Sequence, residues 1–267
     1  MSANHVAFSG SVPSNYDQYL GPLLFEPYAL DLVSRIRDTN MVRVLELACG
    51  TGRVTRHLRT VLPGKVKIFA SDLNPDMITI AKDRVVGENI EWTTVDMQHI
   101  PFEAEFFDLV VCQFGIMFVP DKPKAYREIH RVLKKGGVFL FNVWDKLELN
   151  LPYQVADQVV NSFFKDNPVL FYRVPFSYHD RATITADLNA QFNQISLASV
   201  RKEGRSESAA EATIGMIEGS PAYVAICERN PLLIPQIKEA LDKELAKSFG
   251  NHPMRYVWQA WVGEATK

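Results

Sequence analysis

The sequence predicts a doubly wound α/β fold built around a seven-stranded, mostly parallel sheet. Between residues 42 and 143, short apolar segments rich in β-branched residues alternate with helical patterns, and the connections between them are short. This order is typical of βαβ units, which place parallel strands side by side. A second observation is the glycine-bearing turn at 48–52, which joins an apolar strand to a helix. Such turns lie at the edge of the sheet where parallel strands end, and ligands bind at that edge.

The individual elements follow from periodicity and from turn residues. Apolar runs with β-branched residues predict strands, and apolar residues three or four positions apart predict helices. Asn74 and Pro75 fit a helix N-cap and a first helical position, whereas Gly136 and Gly137 predict the end of a helix before a strand. The predicted strands cover 42–47, 66–71, 90–94, 109–114, 138–143, 195–200 and 256–262, and the predicted helices cover 26–37, 53–62, 75–86, 122–133, 153–165 and 233–249.

The segments on either side of this pattern suggest how the chain is divided. The leader is aromatic and then helical, and residues 151–223 change in character, with an aromatic, proline-punctuated stretch and a Ser/Ala/Glu-rich helical stretch. We find no internal repeat and no low-complexity tract. We expect an N-terminal lid and leading helix, a ligand-binding core, a cap or substrate region that includes one sheet strand, and a C-terminal helix with the final strand. These segments are residues 1–40, 41–145, 146–225 and 226–267.

Composition and charge exclude several classes of protein. At 267 residues, 47% hydrophobic and 22% charged, the composition is that of an ordinary globular protein. A net charge of −2 argues against nucleic acid as a partner. Three cysteines without paired spacing argue against both a disulfide framework and a metal site. The N-terminus lacks the pattern of a signal peptide, and no apolar run is long enough for a membrane span. We expect a cytoplasmic monomer or homodimer.

The turn at 48–52 and the strand before it contain the most informative residues. Glycines at 50 and 52 allow positive φ angles and let a ligand approach the backbone closely. Glu46 lies in the same motif, where a loop that cradles a pyrophosphate would not normally carry a carboxylate. This acid favours a ligand with an amine and a cationic centre. An ordinary strand–helix turn is the alternative interpretation of Gly50 and Gly52.

Two further acids follow the next two predicted strands. Asp72 lies 22 residues beyond Gly50, at a strand end where a carboxylate can accept both hydroxyl hydrogens of a ribose. Asp96 closes the third strand, where it could accept a hydrogen bond from an adenine amino group while Met97 packs on the ring. The alternatives are an acid at a helix N-terminus for Asp72 and a turn residue for Asp96. Together the acids indicate an adenosine-bearing cofactor.

Five segments, at 45–52, 71–77, 96–97, 107–111 and 127–137, carry a resemblance to a known family. In order and spacing they resemble the class I S-adenosylmethionine-dependent methyltransferases, in particular the small-molecule branch that includes quinone-biosynthesis enzymes. The first segment departs from the commonest pattern, because it has Glu-x-Ala-Cys where the family has Asp-x-Gly-x. The resemblance implies a Rossmann-like sheet with an antiparallel last strand, a partial helical cap, and S-adenosyl-L-methionine as the cofactor, with S-adenosyl-L-homocysteine as the product.

The resemblance also implies which residues contact that cofactor. In the family the glycine turn wraps the methionine moiety, the acid after the second strand holds the ribose, and the next two segments contact the adenine and the methionine part. Phe114 or Tyr19 could hold the sulfonium by a cation–π contact. The aromatic leader resembles the flexible lid of the family. The implied cofactor-binding residues are Tyr16, Tyr19, Glu46, Ala48, Gly50, Gly52, Asp72, Leu73, Met77, Asp96, Met97, Gln113 and Phe114.

The sequence indicates the chemical class of the methyl acceptor less directly than it indicates the cofactor. A methyl group on a sulfonium is already activated, so placing the acceptor and excluding water are the main requirements. No catalytic residue is identified, and His179 is the candidate general base. Aromatic residues of the cap suggest a small apolar or aromatic acceptor, methylated at an O, N or C nucleophile, but core packing explains them equally well. These residues are Trp144, Tyr153, Phe171 and Tyr172.

Two other functions stay open. An NAD(P)-dependent Rossmann oxidoreductase would share the glycine turn and the acid at Asp72, but it would have a third glycine in the motif and would not require the acid at Glu46 or the Asp96–Met97 pair. The second is an accessory protein that binds S-adenosylmethionine without catalysis, since the family needs no universal catalytic residue.

Overall fold

The computed structural model describes residues 10–38 and 40–267, which form two compact units. Unit 1 contains residues 10–27, 146–177 and 201–259. Unit 2 contains residues 28–145, 178–200 and 260–267. Residues 1–9 of the predicted lid lie outside the described residues, and the predicted division into four segments stays a prediction.

Seven strands form one sheet in the order β3-β2-β1-β4-β5-β7-β6. Strands β1 to β5 pair with one another in parallel, and β7 pairs with β5 in the antiparallel direction. The predicted doubly wound, mostly parallel sheet with an antiparallel last strand is confirmed. The strands are β1 Arg43–Leu47, β2 Lys67–Asp72, β3 Ile90–Thr94, β4 Phe107–Gln113, β5 Leu133–Trp144, β6 Gln194–Ser206 and β7 Met254–Thr266.

The helices follow the predicted order, with additional short ones. A π-helix at Tyr16–Phe25 and 3₁₀ helices at Ile116–Phe118, Leu147–Leu149, Phe171–Phe176 and Pro231–Leu233 complete the described helical elements. The α-helices are α1 Val12–Asn15, α2 Glu26–Ser34, α3 Arg53–Val61, α4 Pro75–Arg84, α5 Lys122–Val132, α6 Leu151–Ser162, α7 Arg181–Asn189, α8 Ala209–Glu218, α9 Ala222–Arg229 and α10 Ile234–Phe249.

Local signals explain where the helices of unit 2 begin. The side chain of Asn74 accepts a hydrogen bond from the backbone N–H of Asp76 at 2.9 Å, which confirms the predicted N-cap of α4. Gly136 does not end α5 as predicted, because the helix stops at Val132 and β5 already begins at Leu133. Pairing with β4 extends the strand backwards past the two glycines, with a register shift in β4 between Phe107 and Leu109.

The two faces of the sheet in unit 2 carry different helices. Tyr126 of α5 packs edge-on against Phe139 and Phe141 of β5, so α5 covers that face. The opposite face carries α3, whose Thr55 bonds to Glu46 of β1. Because side chains alternate along a strand, the register places four polar side chains on this second face near the carboxyl ends of the strands. They are Glu46, Asp72, Gln113 and Asn142.

Unit 1 is mainly helical and has its own aromatic core. Tyr153 of α6 contacts the rings of Tyr172, Phe176 and Trp258, with centroid separations of 5.4 to 6.1 Å. Asn150, which precedes α6, is fully buried and bonds to the backbone of Gln259 through both ends of its carboxamide. Within the described ranges, the helices are too short or too polar to cross a membrane.

Candidate functional site

The turn after β1 is held in an unusual backbone conformation. Ala48, Gly50 and Gly52 all have positive φ angles, of 53°, 54° and 81°. The backbone N–H of Cys49 donates to the carbonyl of Ser71 in β2 at 2.8 Å, which fixes the turn to the neighbouring strand. Ala48 has no polar side chain to stabilise the left-handed region, so its conformation is strained.

The two glycines of this turn face different surroundings. A Cβ added to Gly50 would meet nothing within 4 Å, so its backbone borders open space that a ligand can enter. A Cβ added to Gly52 would lie 2.6 Å from Cγ2 of Val85, which follows α4. The ligand-binding interpretation is therefore tied to Gly50, whereas Gly52 allows the turn to pack closely on the end of α4.

Glu46 is a buried acid beneath this turn. Its side chain is 1% exposed and accepts a hydrogen bond of 2.6 Å from the hydroxyl of Thr55. Burial, opposed by the Thr55 hydrogen bond and reinforced by the charge of Asp72, raises its pKa to about 8. None of these influences is a cation. A positively charged ligand group at this place would favour the ionised carboxylate.

Asp72 joins the ends of β1 and β2. One carboxylate oxygen accepts a hydrogen bond from the backbone N–H of Gly50 at 2.8 Å, and the other accepts from Asn74 at 2.8 Å. Burial raises its pKa even though these bonds favour the charged form. The neighbouring Leu73 is 68% exposed, and Met77 in the first turn of α4 is buried. A ligand that bonds to the partly exposed carboxylate of Asp72 could cover the exposed side chain of Leu73.

Asp96 lies in a turn of its own. Its carboxylate accepts bonds from the backbone of Gln98 at 2.9 Å and from Nδ1 of His99 at 3.2 Å. Burial alone would raise its pKa, but the bonds from Gln98 and His99 lower it overall. The turn-residue interpretation therefore describes part of its role, while lone pairs on both oxygens leave it able to accept further bonds. His99 bridges Asp96 to Lys124, a link the sequence does not reveal.

The end of β4 brings three loops into contact. Phe114 has a φ of 49°, which is uncommon for a bulky residue. A Cβ added to the next residue, Gly115, would overlap the Cβ of Ala48 and lie 2.9 Å from Cε of Met97. Gly115 is a site residue that sequence reasoning missed. A glycine directly after a parallel strand is the signal that could have indicated it.

Three aromatic rings lie beside this loop. The rings of Phe114 and Trp144 stack with centroids 3.8 Å apart, and Tyr28 of α2 meets both edge-on at 5.3 and 5.4 Å. The hydroxyl of Tyr28 donates to the carbonyl of Val200 at 3.0 Å. All three rings are buried, so Trp144 forms part of a packed aromatic cluster next to the end of β4. Tyr28 was not anticipated from the sequence.

The other predicted residues lie elsewhere in the two units. Tyr16 stacks on Phe25 at 4.7 Å, and Tyr19 packs next to Gly215, both within unit 1. His179 of unit 2 is half-buried, and its backbone carbonyl accepts a bond from Nε1 of Trp261 at 2.9 Å. In the described ranges, no group of three His, Cys, Asp or Glu side chains is arranged to hold a metal ion. Tyr153, Phe171 and Tyr172 lie in unit 1 as buried side chains.

Comparison with known proteins finds a methyltransferase domain in this chain. Residues 45–141 match the model of a methyltransferase domain. The chain is 32% identical over 147 residues to the ubiquinone/menaquinone biosynthesis C-methyltransferase UbiE of Hydrogenovibrio crunogenus. The aligned region covers 51% of this chain and 57% of that protein. The match to the UbiE of Ectopseudomonas mendocina is 32% over 144 residues, or 52% and 55% of the two chains. The chain thus spans about half the length of these curated relatives.

Solved structures share the fold at low identity. Phosphoethanolamine N-methyltransferase 2 of Haemonchus contortus, in complex with S-adenosyl-L-methionine, superposes with a TM-score of 0.60 at 16% identity over 96% of this chain and 56% of that chain. The YcgJ protein of Bacillus subtilis superposes with a TM-score of 0.57 at 18% identity over 90% and 98%. Residues 45–141 therefore resemble a methyltransferase domain, the seven-stranded sheet has the fold of solved methyltransferase structures, and quinone-biosynthesis enzymes are among the relatives of the chain.

Proposed function

We propose that this protein transfers a methyl group from S-adenosyl-L-methionine to a small apolar or aromatic molecule. One observation carries the proposal: Asp72, which is half-buried, bonds to Gly50 beside open space, and the buried acid Glu46 lies close enough to feel the charge of Asp72. Both acids have pKa values raised by burial. A ligand with an amine near one acid and ribose hydroxyls near the other would repay their desolvation.

The residues present fit this cofactor, and their roles follow from position. Glu46 would pair with the amine of the methionine part, and Asp72, already fixed by the N–H of Gly50, would accept the ribose hydroxyls. Asp96 and Met97, with Leu73 and Met77, would hold the adenine; Ala48, Gly52 and Gln113 would shape the methionine end. We keep Tyr16 and Tyr19 as proposed lid contacts.

Methyl transfer requires the protein mainly to position the acceptor against the methyl group, and acid–base chemistry is secondary. When bound, S-adenosylmethionine supplies a methyl group on a positively charged sulfur. The chain would align the acceptor behind that methyl and exclude water, with the reacting atoms about 3 Å apart. Phe114 would offer its ring to the sulfonium. We retain His179 as the proposed base for an acceptor that must lose a proton.

The acceptor class is proposed from the aromatic cluster and from the relatives. Phe114, Trp144 and Tyr28 form a buried aromatic cluster beside the end of β4. An acceptor that reaches this cluster would pack on it best as a flat, apolar ring. The two relatives are named as C-methyltransferases of ubiquinone and menaquinone biosynthesis. A hydroquinone or phenol is therefore the first acceptor to test, with carbon as the first atom.

The proposal extends to partners and location. With a net charge of −2, we propose a small-molecule partner rather than a nucleic acid. The three cysteines are free, and two of them are buried, which suits a reducing compartment. We propose a cytoplasmic monomer or homodimer.

The experiment has two steps. A thermal-shift comparison of S-adenosylmethionine, S-adenosylhomocysteine, NADH and NADPH should show stabilisation by the first two, because a ligand that binds the folded state raises its stability. Stabilisation by a nicotinamide cofactor alone would overturn the proposal in favour of an oxidoreductase. The second step measures S-adenosylhomocysteine release with a panel of hydroquinones, phenols, amines and carboxylic acids. Binding without turnover on any of them would favour the accessory-protein alternative.

A further inference from the structure

Asn142 is a polar residue in the core of unit 2 to which no role has been assigned. It lies near the carboxyl end of β5, directly across from Gln113 of β4, and it is fully buried. Its side-chain Oδ1 accepts a hydrogen bond from the backbone N–H of Phe114 at 2.9 Å. The same N–H lies 3.2 Å from the backbone carbonyl of Asn142, so both the main chain and the side chain of Asn142 hold Phe114.

Folding stability does not explain this carboxamide. The orientation of the Asn142 carboxamide follows from its partner: the N–H of Phe114 is a donor, so the atom that faces it is Oδ1 and the opposite atom is Nδ2. Across residues 10–38 and 40–267, no acceptor receives a hydrogen bond from Nδ2, although the atom is buried. A buried donor without a partner is unfavourable, and an apolar residue of similar shape would avoid that penalty. The N–H of Phe114 would still have the backbone carbonyl as its partner.

The loop that Asn142 holds is the one that contacts the other loops of the site. Phe114 is in the left-handed region, and this turn directs the next residue, Gly115, against Ala48 and Met97. Ala48 belongs to the glycine turn after β1, and Met97 follows Asp96. A shift of the Phe114–Gly115 loop would therefore move the contacts of both of these segments.

We propose that Asn142 is a positioning residue of the cofactor site, which keeps the Phe114–Gly115 loop seated against Ala48 and Met97. The inference rests on the proposed function, since it assigns Asn142 to the site for S-adenosylmethionine. Asn142 acts through the backbone of Phe114. Its effect is therefore on cofactor affinity and on methyl placement, and not on the net stability of the fold.

The test separates affinity from stability. In N142L the carboxamide is replaced by an apolar group of similar shape, and in N142D an oxygen that can accept from Phe114 is retained. Isothermal titration with S-adenosylhomocysteine should show affinity weakened about threefold to tenfold in N142L, equivalent to one net hydrogen bond, and largely restored in N142D. Urea unfolding of N142L should give a midpoint equal to or above that of the wild type. N142A serves as the second variant if leucine overpacks the core.

Asn150 provides the matched control. It is also a fully buried asparagine, but the hydrogen-bonding atoms of its carboxamide are engaged within unit 1. N150L should unfold at lower urea and keep wild-type affinity for S-adenosylhomocysteine. The inference is overturned if N142L and N142A bind as tightly as the wild type, or if their affinity falls only in step with their stability. Failure of the wild-type protein itself to bind S-adenosylhomocysteine would instead overturn the proposed function.

Discussion

Glu46 makes the stability of the protein depend on pH in a calculable way. Its pKa is about 8 in the folded chain against 4.5 for an unperturbed glutamate. The folded state therefore binds a proton more tightly than the unfolded state does. The stabilisation is fully present below the unfolded pKa and is lost as the pH rises towards 8. Over that whole window the loss is about 5 kcal/mol, and above it no further loss arises from this group.

The variant E46Q removes the titrating group and keeps an acceptor for Thr55. Between about pH 5.5 and about pH 7.5, the unfolding free energy of the wild type should fall relative to E46Q by about 1.4 kcal/mol per pH unit, or about 3 kcal/mol in total. Asp72 and Cys49 also face this site, with pKa values raised by burial, but both remain in E46Q and their contributions largely cancel in the comparison.

The measurement is urea unfolding of both proteins without ligand, followed by fluorescence at several pH values. Parallel pH profiles for the wild type and E46Q would refute the reasoning, because they would mean that Glu46 is not protonated in the folded chain. A steeper decline in E46Q than in the wild type would show that the sign is wrong. Equal denaturant dependence at each pH is the control that both proteins unfold in the same manner.

Two further predictions concern the first two loops of the site. G50A should lose affinity for S-adenosylmethionine and should be destabilised by about 1–2 kcal/mol, because residue 50 has a positive φ. G52A should be destabilised further, because its Cβ would lie 2.6 Å from Cγ2 of Val85. Urea unfolding measures the loss of stability of each variant, and the thermal shift caused by S-adenosylmethionine measures the loss of binding. D72N should weaken S-adenosylmethionine binding by about tenfold or more, since the amide accepts ribose hydroxyls less strongly. Titration calorimetry measures this, and unchanged affinity would remove Asp72 from the ribose site.

The parts of the site that sequence reasoning anticipated are those with local chain signals. The strand–glycine–helix order places the turn after β1, and an acid at the end of the next strand is recognisable from its distance to Gly50. Pro75 and Asn74 likewise specify the start of α4 from neighbouring residues alone. For the turn and the helix start the determining interactions lie within a few residues, and for Asp72 the regular length of a βαβ unit sets the spacing, so one sequence is enough to predict them.

The parts that were missed depend on contacts between distant segments. Asn142 and Phe114 are 28 residues apart, and their bond exists only because β5 pairs with β4. Gly115 is required by the approach of Ala48 and Met97, which lie on two other loops. The leader illustrates the same limit, since Pro22 lies inside a π-helix that helical periodicity does not indicate. Composition and residue spacing do not show which distant segments come into contact in the folded chain.

Backbone strain and a buried acid lie at the same edge of the sheet, which indicates that a ligand stabilises both. Ala48 and Phe114 are left-handed without a glycine, directly after the adjacent strands β1 and β4, and Glu46 lies buried below. Strain of this kind persists where a site requires it. If the amine of the ligand is the missing partner of Glu46, the affinity for S-adenosylhomocysteine should be at least about tenfold higher at about pH 7.5 than at about pH 5.5. The reason is that ionising the Glu46 carboxyl group requires less free energy at the higher pH. E46Q should lack this dependence, and a pH-independent affinity in the wild type would place the amine away from Glu46.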